Sequence, residues 1–152
     1  MMKKIAILTG ATGGLGREFL KQILKEKIDE VWAIARNEQK LSELRKEYGE
    51  RVIPMSIDLS KLQGIEQIKN VLDEKKPQVM YLINNAGLAK MGNYKDFDIE
   101  EIDKTINVNC KAPVMLAQIC IPYMGKGSKI LNIAYCEANR PGLRSKMAAF
   151  RF

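Results

Sequence analysis

Thr9-Gly10-Ala11-Thr12-Gly13-Gly14-Leu15-Gly16 has the make-up of a phosphate cradle. It follows a run of apolar, β-favouring residues and precedes a run with helical spacing, the setting in which a glycine loop carries phosphate chemistry. At such a junction the first N–H groups of the helix lack intrahelical acceptors, and the positive end of the helix dipole faces the loop. An anion is the natural occupant. Gly10 permits the tight turn, Gly14 lets a pyrophosphate approach the backbone, and Gly16 lets helix pack on strand. Thr12, Gly13 and Leu15 complete the candidate loop. A glycine-rich turn with no ligand is the competing reading, and the spacing of the glycines in this context weighs against it. No Gly-Lys-Ser/Thr follows, so a nucleoside-triphosphatase loop is disfavoured.

The remaining chemistry is bounded by what is absent. The 152 residues contain no His, which excludes mechanisms that need an imidazole base. Cys110, Cys120 and Cys136 form no CxxC pair, so neither a zinc site nor a disulfide framework is expected. The net charge is +7, but the lysines are dispersed among Glu and Asp, as in the run KEKIDE, with no basic stripe interleaved with aromatics. A solvated surface is favoured over nucleic-acid binding. No apolar run is long enough for a membrane span, and MMKKIAILTG has too short an apolar stretch for a signal peptide. The expectation is a cytoplasmic protein with no nucleic-acid or membrane partner.

The elements that position the loop follow from hydrophobic period. Short runs apolar on both faces predict buried parallel strands at Lys4–Thr9, Glu30–Ala35, Val52–Ile57, Val79–Asn84 and Lys129–Ala134. Helical spacing joins Leu15, Phe19, Ile23 and Leu24, then Leu41, Leu44 and Tyr48 behind an Asn37 cap. A third set, Leu62, Ile65, Ile68 and Leu72, follows an expected Ser60-x-x-Gln63 capping box. A fourth helix starts at Asp98-x-x-Glu101 and runs towards Met124, with Pro113 expected to break or kink it. This alternation predicts an α/β fold, a doubly wound parallel sheet with right-handed crossovers. Residues 1–136 are read as the dinucleotide-binding domain and 137–152 as an irregular tail.

The spacing G-x-x-x-G-x-G, together with Asn84-Asn85-Ala86-Gly87 at the end of the fourth strand, resembles the short-chain dehydrogenase/reductase family, whose motifs are TGxxxGxG and NNAG. The resemblance covers residues 3 to about 136. It implies a Rossmann-like sheet of order 3-2-1-4-5 and an NAD(P)-dependent oxidoreductase acting on a small carbonyl or alcohol. It also implies that Asp58 and Leu59 flank the adenine, and that Asn85, Ala86 and Gly87 pass beside the ribose of the nicotinamide half. Ala35 stands where the family's ribose-binding acid is expected, and Arg36 follows. An Arg there pairs with a 2′-phosphate, so NADP(H) is expected over NAD(H). The alternative is a surface Arg beginning the next helix.

Carbonyl reduction also needs a proton donor and a hydrogen bond at the carbonyl oxygen. By resemblance these come from a Tyr-x-x-x-Lys pair and a Ser, completed by an Asn. Asn109, in Asn107-Val108-Asn109-Cys110-Lys111, matches the Asn. Tyr135 stands where the Ser is expected. None of Tyr48, Tyr81, Tyr94, Tyr123 and Tyr135 is followed by Lys at the fourth residue, and Gly142-Leu143-Arg144-Ser145-Lys146 is only an echo with Gly in place of Tyr. The expectation is a truncated or frame-shifted chain with impaired turnover, its alternative an inactive NADP(H)-binding module acting through partner contacts. A fifth strand left at the sheet edge and an apolar face on the fourth helix (Val114, Met115, Ala117, Ile121) suggest a homodimer through that helix.

Overall fold

The computed structural model describes residues 2–89 and 94–134. Five parallel strands, β1 (Lys4–Thr9), β2 (Glu30–Ala35), β3 (Val52–Ser56), β4 (Gln78–Asn84) and β5 (Lys129–Asn132), form one sheet in the order β3-β2-β1-β4-β5. Helices α1 (Gly14–Ile23), α2 (Glu38–Tyr48) and α3 (Leu62–Lys75) connect the first four strands. A longer helical path, α4 (Ile99–Ile106) and α5 (Ala112–Cys120), leads towards β5. The predicted fold class, strand order and elements are those observed, with strand ends differing by a residue or two.

Alternation along the strands splits the core in two. Ile5, Ile7, Trp32, Ile34, Val79 and Leu82 face Ile65, Ile68 and Leu72 of α3 and Leu116 and Cys120 of α5. Ala6, Leu8, Val31, Ala33, Val52 and Ile83 face Leu20 and Ile23 of α1 and Leu41 and Leu44 of α2. Burial on both faces is what holds a parallel sheet between helix layers. The two edge strands depart from this: in β3 only Val52 is buried, and all of β5 is exposed.

Local expectations divide. Asn37 caps α2, its side chain accepting from the Lys40 N–H at 2.9 Å, and Asp98 and Glu101 form a reciprocal capping box on α4. The box expected at Ser60 does not form. The cap residue of α3 is Lys61, without a side-chain bond, because the Ser60 hydroxyl donates to the Asp58 carboxylate at 2.7 Å instead. Leu15 and Leu62, assigned to core-facing helix stripes, are 54% and 57% exposed, because each sits in the first turn, beyond the edge of the sheet. Pro113 does not break the fourth helix. The chain widens into a π turn over Asn107–Lys111, where the Ala112 N–H reaches back to the Asn107 carbonyl, and Pro113 then falls in the first turn of α5. A proline there has no intrahelical N–H bond to lose. Val114 on α5 and Ile121 just after it are exposed as expected, whereas Met115 and Ala117 pack partly against the core.

Candidate functional site

In a parallel sheet every strand ends at the same edge. The chain winds outward from β1 to β3, then crosses back through α3 to β4 on the other side of β1. The ends of β1 and β4 therefore flank a switch point, where open α/β sheets form their binding crevice. A cleft of about 440 Å³ opens there. Around it stand Gly10, Thr12, Gly13, Gly14, Leu15 and Gly16 from the β1–α1 loop. Arg36 comes from the end of β2, Asp58 and Leu59 from the end of β3, and Asn85, Ala86 and Gly87 from the end of β4. The structure thus brings the sequence-predicted nucleotide residues to one place. Ala35, read as standing in the place of the ribose-binding acid, lines it too, and so do Ile34, Ile57, Leu88 and Val108, which motif spacing had not singled out. Their signal was only that of apolar strand or helix ends.

The loop's geometry gives each glycine a separate reason. Gly10 has φ +65°, and a side chain there would meet the Ala86 Cα at 2.9 Å. At Gly16 a Cβ would lie 2.1 Å from the Gly10 carbonyl oxygen, so only glycine lets α1 close on the loop. At Gly14 a Cβ would meet no protein atom within 4 Å. The space beside Gly14 belongs to the cleft, not to the fold. The first N–H groups of α1 have no intrahelical acceptors and no side-chain cap, and no acidic side chain lies in the helix's first turn to repel an anion. Leu15 lies exposed over the mouth.

Thr9, buried at the end of β1, clasps the two halves of the site. Its Oγ1 accepts from the Asn85 and Ala86 N–H groups at 3.0 and 2.9 Å. The Asn85 Nδ2 answers by donating to the carbonyls of Thr9 and Gly10, each at 3.2 Å. Sequence reading had placed Thr9 only inside the motif, and this organising role was missed. At the far end, the Ser56 hydroxyl donates to the Arg36 carbonyl at 3.1 Å and the Ile57 N–H to the Ala35 carbonyl at 2.9 Å, tying the β2 and β3 exits together. Asp58 is both turn residue and cleft wall. Burial raises its carboxyl pKa. The Ser60 hydroxyl and N–H bonds, with the Lys61 and Arg36 charges, outweigh that and hold it below the ordinary carboxylate value.

Asn109 stands on the π turn, behind the cleft. Its Oδ1 accepts from the Leu88 N–H and its Nδ2 donates to the Leu88 carbonyl, both at 2.8 Å. Both ends of the amide are thereby engaged in holding the segment that leaves Gly87. Tyr135 and Gly142–Lys146, which bear on the expected proton-transfer groups, lie outside the described residues, as does the boundary expected at 136. Among the described residues no cluster of His, Cys, Asp and Glu could hold a metal, and no helix is long and apolar enough to cross a membrane. Burial pushes the Cys120 thiol up to about 12, which keeps it in the un-ionised, inert form.

A family model described as short chain dehydrogenase matches residues 4–145. An uncharacterized oxidoreductase of Staphylococcus epidermidis is 26% identical over 141 residues, a stretch that covers 91% of this chain and 61% of that protein. Among solved structures, a metagenomic short-chain oxidoreductase in complex with NADP aligns at TM-score 0.80 with 28% identity, covering 91% of this chain and 64% of that one. A short-chain dehydrogenase of Sphingobium yanoikuyae in complex with NADPH aligns at TM-score 0.68 with 27% identity, covering 78% and 48%. This chain thus spans less than two-thirds of the length of each. With the sheet order, the glycine loop and the turn after β4 in agreement, the chain belongs to the short-chain dehydrogenase family.

Proposed function

We propose that the cleft binds NADP(H) in preference to NAD(H), and that these residues are the dinucleotide-binding part of an oxidoreductase acting between NADP(H) and a carbonyl or alcohol. The observation that carries the reading is the start of α1. Its N–H groups are open, its first turn carries no acid, and the position where a Gly14 side chain would stand is empty of protein. That arrangement fits a pyrophosphate. The two related structures named above were solved with NADP and NADPH, which supports the same cofactor here.

When bound, the cofactor supplies or accepts a hydride at its nicotinamide ring. The residues of this chain bind and orient it. The α1 N-terminus holds the phosphates, and Arg36, beside Ala35 rather than an acid, pairs with the 2′-phosphate. Asp58 and Leu59 wall the adenine. The Asn85–Gly87 turn borders the nicotinamide half, where Asn109 acts as a positioning residue by fixing Leu88. A carbonyl oxygen gaining negative charge also needs a positioned proton donor. No Tyr among the 152 residues has Lys four places on, so these residues by themselves bind cofactor without turning it over.

Titration of the purified chain with NADPH and NADH tests the cofactor, and tighter NADH binding would sink the preference. Incubation with NADPH and a panel of ketones and aldehydes tests turnover. The expected result is no carbonyl-dependent oxidation, and steady oxidation contradicts it. Exposed Val114 on α5 and Ile121 just after it support self-association, for which a clean monomer in sedimentation velocity is the contrary result.

A further inference from the structure

We infer that Gly64 is a positioning residue for the Arg36–Asp58 end of the cleft: by carrying no side chain it lets α3 close onto the carbonyl of Asp58, and so sets where that wall stands. The inference rests on the dinucleotide reading above. Gly64 lies buried in the first turn of α3. Its backbone has an ordinary helical conformation, outside the positive-φ set, and glycine is a poor helix former. Conformation alone therefore does not account for it.

Contact does. A Cβ at Gly64 would lie 2.4 Å from the Asp58 carbonyl oxygen, 3.1 Å from its carbon and 2.9 Å from the Ile57 Cγ2. The contact is part of a linked run of bonds. The Asp58 carbonyl accepts from the Lys61 N–H at 3.3 Å, and the Lys61 carbonyl accepts from the Gly64 N–H at 3.0 Å. Ser60 fixes the Asp58 carboxylate, with its N–H at 3.0 Å and its hydroxyl at 2.7 Å. Ile57 and Ser56 carry the connection on to the carbonyls of Ala35 and Arg36. An added methyl has two ways out. To reach even 3.0 Å it must push the Asp58 backbone by ~0.6 Å, or lift the start of α3 by as much. The first displaces Asp58 and pulls on the Ile57 and Ser56 bonds to the β2 exit that presents Arg36; the second pulls on the Lys61 N–H bond that holds the Asp58 carbonyl. Gly64 touches no ligand and acts only through these neighbours.

The test titrates wild type and Gly64→Ala with NADPH, NADH and adenosine 2′,5′-bisphosphate. Gly49→Ala serves as the stability control: Gly49 has φ +93° with open space around its Cβ, at the end of α2 remote from the cleft, so alanine there strains the fold without touching the wall. The expected result is that Gly64→Ala binds NADPH and the bisphosphate about tenfold more weakly, with the preference for NADPH over NADH reduced. Gly49→Ala should melt lower but bind as wild type does. A folded Gly64→Ala with wild-type affinities and preference overturns the inference and leaves the dinucleotide reading standing. A wild type that binds none of the probes overturns that reading first. If Gly64→Ala does not fold, amide spectra of the wild type decide. The bisphosphate should shift the Lys61 and Gly64 signals, and unmoved signals overturn the inference.

Discussion

Gly14→Ala should separate stability from binding, because the structure assigns the space beside Gly14 to the cleft. The residue is the first of α1, its φ is not positive, and a Cβ there meets no protein atom within 4 Å. For the fold alone, alanine is at least as good as glycine, and replacing glycine in a helix gains up to about 1 kcal/mol. For a bound pyrophosphate the same methyl is an obstruction. A phosphate oxygen held by the N–H groups of the first turn sits about 2.8 Å from nitrogen. A methyl at van der Waals distance forces it outward and costs at least one charge-assisted bond, roughly 1.5–3 kcal/mol. That corresponds to an affinity loss of roughly ten- to a hundredfold. The assay pairs a melting curve without ligand with a fluorescence titration by NADPH. The expected result is an unchanged or higher melting temperature with much weaker binding. A variant that binds NADPH as tightly as wild type would refute the placement of the phosphates at the start of α1, whatever its stability.

Thr9→Val keeps the shape of a buried side chain but strands the Ala86 N–H and leaves the Asn85 N–H only its 3.1 Å bond to the Ile83 carbonyl, so it should destabilise by about 1–3 kcal/mol. In calorimetry that is a melting temperature lower by roughly 3–10 °C, and a drop of less than a degree would remove Thr9 from its organising role. Glu30, largely buried between Lys3 and Trp32, gives a pH test. Burial raises its carboxyl pKa, but the bonds from Lys3 and Trp32 and the Lys3 and Lys75 charges take it below its ordinary value of 4.5. A lowered folded pKa means that the stabilisation is complete above that ordinary value and is lost as pH falls through the folded one. Glu30→Gln should therefore melt lower than wild type near pH 7, with the gap closing as pH falls below the ordinary value of 4.5; a gap constant across that range contradicts the assignment.

Much of this architecture was legible because its signals are local and repeated. Runs apolar on both faces read as parallel strands, buried in β1, β2 and β4 although not in the edge strand β5, and the glycine loop sits where a strand must hand over to a helix. The sequence placed the cleft residues on strand ends, and a parallel sheet brings strand ends together. What could not be read depends on three-dimensional competition. Ser60 fits a capping box by spacing, yet the Asp58 carboxylate two residues away is the better partner and takes its hydroxyl. Pro113 has the signature of a helix break or kink, but the π turn over Asn107–Lys111 leaves it in the first turn of α5, where a missing N–H costs little. Thr9 reads as a motif letter until the β4 exit is seen to donate to it. Leu15 and Leu62 fit an apolar stripe by period, but period does not say which end of a helix overhangs the sheet. The Gly64 contact lies between segments whose approach no spacing rule encodes.

The central claim is that this cleft holds NADP(H), with the 2′-phosphate on Arg36. Calorimetric titration of wild type and Arg36→Ala with NADP⁺ and NAD⁺ closes a cycle that isolates that one contact. The account predicts that wild type prefers NADP⁺ by on the order of ten- to a hundredfold, and that Arg36→Ala loses nearly all of the preference while keeping most of its NAD⁺ affinity. A preference for NADP⁺ that survives in Arg36→Ala, or a wild type that binds NAD⁺ more tightly, would contradict it.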